Sequence, residues 1–172
     1  MELTRRSFAQ RLFTGVATVA LAPFVLFDAA CGTSTVAALV ATLGGAAASI
    51  ATALGDTALA EKITTDTAAV VTAVNAWKAG TGTVAAVVAI LNVVLADINL
   101  IPVSPLYQTL ISLALTTITA LITIFAAGTT TAMKSAYNAA VLAGAPKDRD
   151  HFKSAWNTIC AGDARLATVK IK

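Results

Sequence analysis

Residues 104–128 read SPLYQTLISLALTTITALITIFAAG, and they contain no charged side chain. Ser104 followed by Pro105 is a helix-start pattern, with proline where its missing N–H costs nothing. Gly128 supplies a stop. The spacing predicts a helix over Pro105–Ala127. At 1.5 Å per residue it would reach roughly 34 Å, close to the hydrocarbon thickness of a bilayer. Within it Thr109, Ser112, Thr116, Thr119 and Thr123 recur at steps of three and four, while Leu110, Leu113, Leu121, Ile122 and Phe125 face elsewhere. Such a hydroxyl stripe has three readings: the wet face of a bundle helix, a pore lining, or an interhelical contact with each hydroxyl bonded to a carbonyl one turn back. The first is the expectation.

The same helical period extends in both directions. Val84, Val87, Val88, Leu91, Val94, Leu95 and Ile98 form the apolar stripe of a helix capped by Thr83 and ending near Asn99. Ala85, Ala89, Asn92, Ala96 and Asn99 make a narrow, mildly polar seam that predicts close helix contact. Before it, Asp56 caps a helix to about Lys78, with Leu59, Ile63, Val70, Val74 and Trp77 on one face and Thr67 filling the gap in that stripe. Earlier still, Val36, Leu39, Val40, Leu43, Ile50 and Leu54 predict a helix over Thr35–Leu54. Gly44-Gly45 in its middle marks either a bend or a face where another backbone comes close. Beyond Gly128, a short helix is predicted around Met133–Ala143 and a last one after Lys147-Asp148-Arg149-Asp150-His151, with Phe152, Trp156, Ile159 and Cys160 as its inner face. Asp148 or Asp150 serves that helix start. Residues 167–172 are predicted to be extended, and no strand-like alternation stands out. The fold class is therefore all-α: an antiparallel bundle of four to six helices.

Charge narrows the function. Charged residues are 12% of the chain, against about 25% in ordinary soluble domains. A net charge of +3 is too small to argue for nucleic acid. Between Ala79 and Met133 the one charged side chain is Asp97, placed near a helix end where it is expected to reach water. The tail from Lys134 is basic: Lys134, Lys147, Arg149, Lys153, Arg165, Lys170 and Lys172 stand against three aspartates. A solvated segment is the first meaning, attraction to anionic lipid or polymer the sharper one.

The amino terminus carries Thr4-Arg5-Arg6-Ser7-Phe8, an uncharged run from Leu12 to Phe27, and Asp28-Ala29-Ala30-Cys31. Positive segment, apolar segment and small-residue site follow the order of an export signal. Arg5, Arg6 and Phe8 make it resemble a bacterial twin-arginine signal peptide, although Ala9 and Gln10 depart from the usual Leu-Lys. The resemblance implies a passenger that meets the twin-arginine export machinery already folded and ends in the periplasm or cell envelope. On this reading residues 1–30 are an N-terminal signal helix and 31–172 one helical domain, with a basic helical segment at 132–172. Cleavage after Ala30 exposes Cys31, the candidate for lipidation, although Asp28 stands where a lipobox has Leu. If Cys31 is lipidated, Cys160 has no partner in the chain and is either buried or joins two copies. The rest resembles small exported Ala/Thr-rich helical proteins of bacteria, a likeness of composition that assigns no activity.

Chemistry-bearing motifs are sparse. There is no C-x-x-C, phosphate loop, G-x-S-x-G or H-E-x-x-H. His151 is the single histidine, and Asp66 and Glu61 fall on different faces of one helix. No catalytic, cofactor or metal residue is assigned. The expectation is a non-enzymatic envelope protein with a structural or interaction role, a homo-oligomer or bound to an envelope partner, touching the membrane surface but not nucleic acid. Two alternatives remain. One is a multispanning, holin-like pore former with spans near Leu12–Phe27, Thr35–Leu54, Val84–Ile101 and Leu106–Ala127, and the other a carrier of an apolar ligand.

Overall fold

A computed structural model describes residues 33–172. Six α-helices follow one another: α1 (Thr33–Ala53), α2 (Thr57–Lys78), α3 (Val84–Asn99), α4 (Gln108–Ala126), α5 (Thr130–Leu142) and α6 (Arg149–Ala161). A 310 segment, Ala164–Val169, comes last. The all-α bundle is thus the observed architecture, and no strand occurs among the described residues. The signal-helix expectation, with Arg5, Arg6, Phe8 and Cys31, lies outside them.

Each helix packs on its chain neighbour from α1 through α5. Short joins force consecutive helices to run antiparallel. α6 and the 310 segment return to α1, and α1 and α6 also touch α4. The α1–α2 turn shows how little sequence this needs. Gly55 takes φ +86°, and the N–H groups of Gly55 and Asp56 donate to the carbonyls of Thr52 and Ala51, both at 2.9 Å. That closes α1, because glycine enters the left-handed region without a Cβ clash. Asp56 then opens α2, its carboxylate accepting from Leu59 N at 2.9 Å.

The core draws on every α-helix. Val40, Leu43 and Ile50 of α1, Ile63, Val70 and Val74 of α2, and Val87, Leu91 and Ile98 of α3 are fully buried. So are Leu110, Ile118 and Phe125 of α4 and Phe152 and Trp156 of α6, while α5 adds the buried Met133. Burial of each such side chain stabilises the fold by about 1.5–3 kcal/mol. Thr67 does fill the α2 stripe and is buried. Trp77 meets Phe125 edge to face, with centroids 5.3 Å apart.

Four expectations need correction. Ala85, Ala89, Asn92, Ala96 and Asn99 form no helix contact; all are exposed. α3 meets α2 and α4 through its apolar stripe and the residues beside it, and the amides of Asn92 and Asn99 fold back onto the carbonyls of Val88 and Leu95 at 2.9 Å. Ser104 does not cap α4. Its carbonyl accepts from Tyr107 N and Gln108 N at 2.9 Å, so Pro105–Tyr107 make a turn and the helix begins at Gln108. The tail is extended over Lys170–Lys172 only, because the 310 segment continues to Val169. Asp97 does not reach water, as described below.

α1 is continuous through Gly44-Gly45. The close-approach alternative holds at Gly44. A Cβ placed there would lie 2.6 Å from Thr67 Cβ, inside the contact distance of real carbon atoms. Gly45 is exposed, with nothing within 4 Å of the corresponding point.

Among the described residues two helices are long and apolar enough to cross a membrane by length and composition, Val36–Ala53 and Gln108–Ala126. Much of each apolar face is turned into the core, and the α4 stripe Thr109, Ser112, Thr116, Thr119 and Thr123 is exposed.

Candidate functional site

Asp97 sits in the last turn of α3 with its side chain 4% exposed. It is buried because it borders the stripe Leu91–Val94–Ile98 that α3 presses against α2. Its Oδ1 accepts from Lys62 Nζ at 2.6 Å, and the same ammonium donates to Asp66 Oδ2 at 2.8 Å. The i,i+4 spacing of Lys62 and Asp66 puts both on one side of α2. One cation therefore bridges two carboxylates from two helices. Asp97 Oδ2 is buried without a hydrogen-bond partner among the described residues.

Physical causes separate the two acids. Burial pushes the Asp97 carboxyl above the usual carboxylate range, the Lys62 ammonium acts against that shift, and the neighbouring Asp66 adds to it. Asp66, more exposed, is held low first by its bond to Lys62. Lys62 is raised, by Asp66 first and then Asp97. The arrangement can lock α2 to α3, and it can retain a proton at Asp97. Among the described residues no three His, Cys, Asp or Glu side chains gather to hold a metal ion.

A folded-state value above the unfolded one means that Asp97 favours the folded chain at low pH and loses that contribution as pH rises toward the raised value. Asp66 acts with the opposite sign: its stabilisation is present above the ordinary range and is lost as pH falls through its lowered value. Asp97→Asn removes the first effect. Urea denaturation of parent and variant across roughly pH 4 to 8 should therefore show their stability difference shifting in favour of Asp97→Asn as pH rises. A constant difference would refute the buried-acid description.

The basic tail is built into a second feature. Trp156 Nε1 donates to Val169 O at 2.8 Å, Asn157 both donates to Ile171 O and accepts from Ile171 N at 2.9 Å, and Lys153 Nζ donates to the Lys172 main-chain oxygen at 2.6 Å. Three side chains of α6 clamp an extended tail. Alternation along it buries Val169 and exposes Lys170 and Lys172. A cleft lies between this tail and the outer face of α1, edged by Thr42, Gly45, Ser49, Arg149, Lys170 and Lys172. The basic count was legible in the sequence. The cleft was not, because nothing in residues 41–49 announces which face the tail will cross.

A third feature is an apolar cleft among α1, α4 and α5, with Val36, Leu39, Leu121, Phe125 and Tyr137 in its wall. The remaining candidates have structural roles. Asp148 caps α6, accepting from His151 N at 2.8 Å, and His151 Nδ1 accepts from Lys147 N at 3.3 Å. Cys160 is a free, buried thiol, raised chiefly by that burial. The chain matches no protein family, no curated protein and no solved structure with which it was compared.

Proposed function

We propose that this is an exported helical protein of the bacterial envelope that works by contact rather than catalysis, associating with further copies or with an envelope partner. On this reading the twin-arginine leader with Arg5, Arg6 and Phe8 directs export, and Cys31 is the point of lipid attachment. The observation that carries the proposal is the orientation of α1 and α4. Both are apolar enough to span a bilayer, yet Val40, Leu43, Ile50, Leu110, Ile118 and Phe125 are fully buried within the protein and hydroxyls occupy the outer side of α4. That pattern suits a helix facing water better than one facing lipid. Leu100, Val103 and Leu142, 65%, 74% and 90% exposed, are apolar points available to a partner.

Mass spectrometry of the mature amino terminus, with alkaline extraction and protease accessibility in cells, tests the reading. A chain starting at Cys31 supports export and cleavage, and acyl mass on it supports lipid attachment, whereas a bare Cys31 would remove the attachment. An intact Met1 on a product that resists extraction and is cut at alternating loops would replace it with the holin-like alternative. A second reading, a carrier of an apolar ligand, would require the cleft among α1, α4 and α5 to open, because it encloses only about 20 Å³. Lipid copurifying in stoichiometric amount would support that.

A further inference from the structure

Lys170 and Lys172 stand on the clamped tail and Arg149 opens α6, so two separate elements bring cations to one cleft. Lys153, on the next turn of α6, is held at the tail main chain. Side-chain carboxylates do not balance them. Among the described residues neither Lys170 nor Lys172 makes an ion pair, and Arg149 reaches only its neighbour Asp150, at 3.8 Å. Asp150 is itself 90% exposed. The other nearby acid, Asp148, is occupied with its helix cap. Like charges gathered without a counter-charge repel one another, and an anion seated among them relieves the repulsion.

The floor of the cleft refines the chemistry. Thr42, Gly45 and Ser49 lie along one side of α1. The Thr42 hydroxyl donates to Ala38 O at 2.8 Å and that of Ser49 to Ala46 O at 2.7 Å. Their protons are committed to the helix, so toward the cleft they offer lone pairs that accept. Exposed Gly45 leaves the space between them open. The cations call for an anion and the hydroxyl oxygens for donors on the same ligand. We infer that the cleft between α1 and the tail binds a polyol phosphate, its phosphate among Arg149, Lys170 and Lys172 and its hydroxyls on Thr42 and Ser49. The inference goes beyond the proposed function and holds wherever the chain resides. A soluble polyol phosphate and a glycerophosphate lipid headgroup share this chemistry.

The test titrates the purified full chain with glycerol 3-phosphate, with inorganic phosphate, and with phosphatidylcholine vesicles with or without phosphatidylglycerol. Amide shifts report the soluble ligands and sedimentation reports the vesicles. Glycerol 3-phosphate should shift Thr42, Gly45, Ser49 and the tail, bind more tightly than inorganic phosphate, and weaken as salt is added. Lys170→Glu with Lys172→Glu should weaken it by about tenfold or more. Gly45→Leu should abolish binding while the fold is retained, because a helix accepts Leu more readily than Gly and the site is open. Vesicle binding that requires phosphatidylglycerol and is lost in Gly45→Leu would locate the headgroup in the cleft and support the inference for a lipid source. Three results would overturn it: inorganic phosphate binding as tightly as glycerol 3-phosphate, Gly45→Leu binding like the parent, or vesicle binding that depends on the lysines but ignores Gly45→Leu.

Discussion

Trp156→Ala should lower the stability of the protein by about 3–5 kcal/mol through lost packing alone. Trp156 is fully buried, its ring lies 5.6 Å centroid to centroid from Phe152, and its indole N–H satisfies the carbonyl of Val169. Truncation opens a cavity where α6 returns to the bundle and leaves that carbonyl without its donor, a further cost of about 1–3 kcal/mol if water cannot reach it. Against the ~5–15 kcal/mol typical of a domain, this is a large fraction. Urea denaturation followed by circular dichroism checks it. Trp156→Phe keeps most of the packing and loses the hydrogen bond, so its midpoint should fall between the two. Leu142→Ala, at a 90% exposed side chain, should stay within about 0.5 kcal/mol of the parent. A Trp156→Ala protein as stable as Leu142→Ala would show that α6 is not part of the core.

Gly44→Ala should also destabilise, against the usual helix preference. Alanine ordinarily gains about 1 kcal/mol over glycine inside a helix. Here the added carbon meets Thr67 at its Cβ, an atom that no side-chain rotation can withdraw. α1 and α2 must separate, and overpacking of this kind costs about 1–3 kcal/mol. Thr67 has a second liability, since its buried Oγ1 has no hydrogen-bond partner among the described residues. Thr67→Gly removes both the obstructing carbon and the orphaned oxygen, so in that background Gly44→Ala should change from harmful to neutral or stabilising. A double-mutant cycle in thermal or urea denaturation measures this coupling, expected at about 1–3 kcal/mol. Additive effects would mean that the two helices do not touch at this point.

Helix identity was legible because caps and stops are local. Asp56, Thr83 and Asp148 each bond a backbone N–H three residues on, and Gly55 and Gly128 take the positive φ that ends a helix. What a helix face meets is not local. Asn92 and Asn99 lie on a seam that looks like a contact, yet both are exposed, on the side of α3 away from its apolar stripe. Asp97 looks like a helix-end residue in water until Lys62, 35 residues earlier, is brought beside it by the α2–α3 hairpin. The tail clamp is hidden for the same reason, since Asn157 is an unremarkable polar residue until Ile171 runs alongside it.

The return of α6 onto α1 also orders events in time. Helices α1 through α5 join to their sequential neighbours, and such local pairings form quickly. Phe152 and Trp156 belong to the same core as Val40 and Leu43, so the earliest-made described helix waits for one of the latest. On the ribosome, the growing chain carries a partly open interior until α6 emerges from the tunnel and packs against α1.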